Sequence, residues 1–286
     1  MAPRSVIILA IVLFFPLQVF SAGQYWIGDA TELAADNPKL SAAISSVALI
    51  ETEDGDLVSS GVFIAPNKVL TSSLALAGLK CDELQIKTLL KQGFYFNRPP
   101  QAKGITAQCK SIPVSEPDAD VAVIEVTRAS RHTLPVRAIP NDIVSSTARL
   151  AVFGYVKRGY MAIATDCEPI NPTLGSKERN RTFTDRDRTG KQYAFGFENG
   201  MIADCAGTDP ELQGGPTIIG LDSGEPSVIG VFHKAIWLKT VKELETITQS
   251  KKATLSSDRS RISNVLGWQP EYFAPEHFGG PLKPYV

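Results

Sequence analysis

Ser60-Gly-Val-Phe-Ile-Ala-Pro-Asn-Lys-Val-Leu-Thr-Ser-Ser-Leu74 is the stretch on which the fold turns. An apolar run ends at a Pro-Asn turn, and a second apolar run follows at once, so the segment spells strand, turn, strand. The same rhythm extends outward. Short apolar and β-branched runs recur at Ser46–Ile50, Leu57–Ile64, Lys68–Thr71, Val121–Val126, Leu150–Tyr155, Tyr193–Phe197, Pro216–Gly220 and Val228–Phe232. Asp54-Gly55 and Asp222-Ser-Gly-Glu225 read as hairpin turns between neighbouring runs. Many short strands spaced by turns predict a barrel or a sandwich of mostly antiparallel strands. Propensity alone does not choose between them.

The 286-residue chain opens with Arg4, an apolar run Val6–Phe15, a proline and the small residues Ser21-Ala22-Gly23. That layout predicts a secretory leader over residues 1–23. The run is half the ~20 apolar residues that span a bilayer, and no later stretch approaches that length. A soluble, extracellular protein without a membrane partner is expected. The mature length suits one domain or two tightly packed halves. A formal net charge of −1 offers no electrostatic footprint for nucleic acid. Four cysteines in an exported chain predict two disulfides, with three pairings open. There is no CxxC pair, and His132, His233 and His277 lie far apart, so neither a metal site nor a cofactor is expected.

Leu134–Ser146, with Pro135 and Pro140, has the chemistry of a connection between halves. The charged run Lys177–Arg188, within Asn171–Lys191, shows no apolar face and predicts a solvated loop. Asn180-Arg-Thr182 within it is a glycosylation sequon. Ile236, Val241, Leu244 and Ile247 share one helical face and predict a helix over about 236–248. Residues 24–45 form an N-terminal segment, and residues 251–286 a tail whose end, from Gly267, is expected to be loosely ordered.

The Ser60–Leu74 stretch resembles the Gly-x-Leu-Ile-x-x-x-Trp-Val-Leu-Thr-Ala-Ala-His segment of chymotrypsin/trypsin-like serine proteases, with Leu74 at the histidine. Glu211-Leu-Gln-Gly-Gly-Pro216 resembles their Gly-Asp-Ser-Gly-Gly-Pro, with Gln213 at the nucleophile. Asp120, in Asp-Val-Ala-Val-Ile124, is similar to the third member of the triad. The resemblance covers Ser46 to Ser250. It implies an all-β fold of two packed antiparallel six-stranded β-barrels, at about 46–134 and 147–235, with a C-terminal helix. Cys205-Ala-Gly is similar to a family motif bonded within the second barrel, which implies Cys167–Cys205 and leaves Cys81–Cys109.

Peptide hydrolysis on this scaffold needs a serine oxygen, an imidazole base and a carboxylate that orients it. Leu74 has no titratable nitrogen, and Gln213 has no labile hydroxyl. Losing such members costs on the order of a millionfold in turnover. None of the three histidines follows the Val-Leu-Thr-Ser-Ser turn, although His233-Lys-Ala235 aligns with the strand that lines the family's cleft. Asp120, a turn or cap residue on a bland reading, is expected to find backbone amides and hydroxyls, Ser72 and Ser73 foremost. Leu212 stands where the family's aspartate pairs with a freshly cut N-terminus, and no Arg-Ile-Val-Gly-Gly site precedes Ser46. Glu211 replaces a glycine whose amide helps form the oxyanion hole. Ser59 and Ala75 match the cysteines of a missing disulfide, a constraint that packing around Leu74 must replace.

The resemblance therefore implies a secreted, non-catalytic serine protease homologue that works by binding other secreted proteins, active serine proteases among them. Relatives of this kind look like regulators, cofactors or decoys. A compact example is similar to insect reproductive-tract secretions, which implies a seminal-fluid setting; immune-cascade cofactors and inhibitors of secreted hydrolases are the alternatives. The former cleft, at Leu212, Gln213, His233 and Lys234 beside Leu74, is the expected partner surface, and the charged loop is its competitor.

Overall fold

The computed structural model describes residues 25–91, 100–138, 148–156, 159–170, 182–196, 200–205, 210–237 and 261–267. The leader, Asn180 and residues 238–248 of the expected helix lie outside the described residues.

The chain enters through β1 (Tyr25–Gly28), α1 (Ala30–Asp36) and α2 (Pro38–Ser46). Asp29 caps α1, its carboxylate accepting from the Thr31 amide at 2.8 Å and the Thr31 hydroxyl at 2.5 Å, as an N-cap residue does. Pro38 opens α2, where its missing N–H is no loss. The first barrel follows: β2 (Val47–Thr52), β3 (Leu57–Ala65), β4 (Lys68–Thr71), a single turn α3 (Ser73–Leu76), and β5 (Leu84–Thr88). A minor pair, β6 (Leu90–Lys91) and β7 (Gln101–Ala102), precedes β8 (Thr106–Glu116) and β9 (Val121–Val126). Strands β2, β3, β4, β9, β8 and β5 close into an antiparallel barrel in that order.

The second half comprises β10 (Leu150–Val156), β11 (Tyr160–Ile170), a hairpin of β12 (Thr182–Arg186) and β13 (Gln192–Gly196), then β14 (Gly200–Cys205), β15 (Pro216–Ile219), β16 (Ser227–Trp237) and β17 (Arg261–Gly267). The sheet runs β1-β11-β10-β15-β16-β17-β14, and an added β11–β14 pairing joins its ends into a second six-stranded ring with β1 outside it. The fold is all-β, two antiparallel barrels side by side, in the chymotrypsin-like arrangement.

The sequence runs look uniformly apolar because both faces of many strands are buried. Ala48 and Ile50 of β2 fill the first barrel with Phe63, Ile86 and Ile124. Val47 and Leu49, one residue out of phase, join Phe153, Tyr155 and Val231 in the core between the barrels. The second barrel is filled by Val152, Ala164, Ile229 and Phe232.

The N-terminal segment joins the fold: β1 pairs with β11, and Ile44 and Ser46 are fully buried where α2 runs straight into β2. Two expectations change. Ile236 and Trp237, placed by periodicity in a helix, continue strand β16 and pair with Ile262 and Arg261. The segment 251–286, read as a tail, supplies β17, which completes the second ring between β16 and β14. The partner that converts such a segment into a strand is remote in sequence, and local periodicity does not register it.

Both disulfides form as the resemblance implied, Cys81–Cys109 with Cα atoms 5.2 Å apart and Cys167–Cys205 with Cα atoms 4.3 Å apart. Cys167–Cys205 ties β11 to β14 where the second ring closes. Replacing both of its cysteines by alanine is expected to cost about 3–4 kcal/mol by loop-closure entropy and to lower Tm by roughly 10 °C. Calorimetry checks this; an unchanged Tm refutes it.

Candidate functional site between the barrels

Strand β4 ends at Thr71, and Ser72 caps α3, its hydroxyl accepting from the Ala75 amide at 3.2 Å. This turn delivers Leu74 to the seam between barrels, 2 % exposed and packed against Tyr193 of β13. Asp120 arrives from the turn before β9 with a left-handed backbone, φ +49°, which aspartate tolerates better than most residues. Gln213 arrives from the turn Pro210–Leu212 that precedes β15.

These three positions converge. One oxygen of the fully buried Asp120 carboxylate accepts from the Ser72 hydroxyl at 2.5 Å, from the Leu74 amide at 2.8 Å and from the Ser73 hydroxyl at 3.5 Å. The Gln213 side-chain amide donates to the same Ser72 hydroxyl at 3.3 Å. Ser72 thus uses its single proton on Asp120 and both lone pairs on Ala75 and Gln213, and it is itself fully buried.

The second Asp120 oxygen meets what the residue-by-residue reading missed: Nδ1 of His233 lies 2.6 Å away. Amides and hydroxyls alone were expected to satisfy this carboxylate; an imidazole shares it. The ring comes from β16, not from the α3 turn. His233 sits at a break in the β16–β17 register, where Phe232 pairs with Val265 and Lys234 with Asn264. A bulge of this kind re-aims one side chain out of strict alternation, and here the ring turns toward the first barrel. On its far side, Nε2 faces Asp185 of β12 at 3.6 Å. The His233 side chain is 1 % exposed, with a carboxylate facing each ring nitrogen. The two carboxylates lie on opposite ring nitrogens, and among the described residues no cluster of His, Cys, Asp and Glu is arranged to hold a metal ion.

Strand β12 is a further departure. Thr182–Arg186 was read as part of a solvated loop, yet it pairs in register with Gln192–Gly196, which contains most of the expected strand run Tyr193–Phe197. The Arg188 amide donates to the Leu74 carbonyl at 3.2 Å, and Tyr193 covers the Leu74 side chain. Beside this contact lies a cavity of about 350 Å³, lined by Leu74, Leu76, Ile112, Pro117 and Tyr193 among others.

Two of the expected partner residues are interior. Leu212 is fully buried among Val152, Ile229 and Phe232, and His233 is buried against Asp120. Neither offers a contact surface, because apolar burial claims the first and a carboxylate the second. Gln213 is half-buried, and Lys234 belongs to β16 with its side chain outside the described residues.

The two glycines after Gln213 have a packing reason independent of catalysis. Gly214 has φ +80°, and a Cβ there would lie 2.4 Å from the Ser60 carbonyl oxygen. A Cβ on Gly215 would lie 1.9 Å from the Phe153 carbonyl oxygen. The Gln213 carbonyl itself accepts from the Ser60 amide at 2.9 Å and lies 3.0 Å from the Ser59 hydroxyl. The Ser59 hydroxyl thus sits at a contact between the two barrels, beside the Gln213 carbonyl.

No protein-family model and no curated protein matches the chain. Among solved structures it is similar to the Rv3671c protease from M. tuberculosis in its active form, at 18 % identity, covering 89 % of this chain and 87 % of that one, with a TM-score of 0.49. It is also similar to an inactive serine-to-alanine form of Rv3671c, at 19 % identity over 82 % and 87 % of the two chains, with a TM-score of 0.47. The fold assigned above rests on the strand pairing of the chain itself.

Proposed function

We propose that this protein is a secreted, non-catalytic protease-like binding protein, a regulator or cofactor of other secreted proteins. One observation carries the reading. At the junction of Leu74, Asp120 and Gln213, the Asp120 carboxylate is shared between the buried Ser72 hydroxyl, the Leu74 amide and the buried His233 ring. The acyl-transfer route needs a hydroxyl within reach of a base whose other nitrogen is held by a carboxylate. His233 has the carboxylate at Nδ1, but its Nε2 faces Asp185, and Ser72 donates to Asp120 rather than to the ring. The two disulfides accord with an oxidising, extracellular setting. The narrower setting, reproductive-tract fluid and active proteases as partners, follows from the sequence resemblance alone.

A fluorophosphonate probe is the direct test, since it captures an activated serine regardless of substrate. The full chain is expected to label no more than its heat-denatured control. Stoichiometric labelling, mapped to any serine, overturns the reading.

A further inference from the structure

The cavity beside Leu74 takes its walls from three separate elements. Leu74, Leu76 and Leu79 come from α3 and the loop after it, Ile112 and Pro117 from β8 and the turn that follows, and Tyr193 from β13. Its floor is buried at Ser73, Leu74 and Leu76, and its rim is exposed at Gly78 and Ser115. A volume of about 350 Å³ falls among small-molecule sites, which run from roughly 300 to 1,000 Å³ and favour seams between packed units.

The polar side chains toward the floor are already engaged. The Ser73 hydroxyl shares its one proton between the Glu116 carbonyl, 3.2 Å away, and Asp120, 3.5 Å away. The Tyr193 hydroxyl is among the donors to Asp187, whose carboxyl the Thr189 hydroxyl above all holds below the usual carboxylate range. No described lining residue carries a charge. A charged ligand would therefore lose its hydration without compensation, and water itself, which needs about two to four polar partners, is held poorly.

The walls are fixed by contacts of the protein's own. The Arg188 amide donates to the Leu74 carbonyl at 3.2 Å. A Cβ on Gly78 would lie 2.7 Å from Cγ2 of Thr189, so the hairpin turn sits directly on the loop after α3. The Lys191 ammonium lies 4.8 Å from the centroid of the Tyr193 ring. Little ordering is left to oppose binding.

We infer that this cavity is a binding site for a small, neutral, mostly apolar molecule. A cavity of about 150 Å³ takes benzene, so the larger volume corresponds to roughly 14 non-hydrogen atoms. Leu74 contributes directly, because an imidazole at that position would bring a titratable nitrogen to the floor. The site goes beyond the protein-binding role proposed above and does not depend on it.

The test titrates 1-aminoanthracene, a neutral dye of about that size whose emission rises in apolar surroundings, into the full chain. Binding is expected at one dye per chain, with a Kd of about 10–100 μM. Ala77→Trp and Ser115→Trp, each adding an indole at the cavity, are expected to weaken it about tenfold or more. Ser223→Trp, on the exposed turn before β16, is expected to change it less than about twofold. Near-UV circular dichroism establishes that each variant is folded, and the exposed Ser115 keeps the test standing should Ala77→Trp not fold. No binding by the unmodified chain, binding unchanged by both cavity variants, or an equal loss from Ser223→Trp overturns the site. An anionic anilinonaphthalene sulfonate that binds more tightly, with the same dependence on Ala77 and Ser115, overturns the neutral class. A neutral leucine-containing tripeptide that displaces the dye below the dye's own Kd assigns the cavity to an apolar side chain of a partner protein and overturns the small molecule.

Discussion

Asp120→Ala is expected to destabilise the fold by about 3–5 kcal/mol, since several buried donors lose one acceptor at about 1–3 kcal/mol each. Three groups lose their acceptor together: the Ser72 hydroxyl, the Leu74 amide and Nδ1 of His233. All three residues are buried, so water does not replace the carboxylate without opening the seam. Asp120→Asn is expected to cost less, since its carbonyl oxygen still accepts from Ser72 and Leu74. Urea unfolding of both variants measures the difference. A loss under about 1 kcal/mol for the alanine variant shows that the carboxylate is a surviving relic without structural weight. The same experiment separates two reasons for an aspartate at this position. A protease holds it to orient a base; here its neighbours require it for folding whether or not any chemistry occurs.

Gly215→Ala is expected to cost about 4 kcal/mol or more, at the upper end for single substitutions. The methyl would overlap the Phe153 carbonyl oxygen at 1.9 Å and approach the Leu212 carbonyl oxygen at 2.9 Å. Both are backbone atoms of packed elements, and no rotamer change relieves them. Gly224→Ala is the comparison: nothing lies within 4 Å of its Cβ, and only the strain of φ +79° remains, about 1–2 kcal/mol. Soluble yield and thermal unfolding of the two variants check the contrast. Equal behaviour means that β10 and β15 slide apart at low cost, against the packing described here. Gly-Gly-Pro216 after Gln213 thus has a mechanical cause.

Residue identity alone settled which functional groups exist at positions 74 and 213, because a leucine carries no proton acceptor and a glutamine no hydroxyl in any conformation. Strand rhythm along Ser46–Phe232 also stood in the sequence, since turn residues and apolar runs act locally. What those groups meet was decided by tertiary structure. His233 reaches Asp120 across 113 positions of chain because a bulge in β16 turns one side chain out of alternation. Leu212 is interior, the hairpin covers Leu74, and Arg261–Gly267 becomes the strand that completes the second ring. Each of these depends on pairing between remote segments. A single-residue shift in register exchanges one face for the other, and local propensity carries no record of that choice.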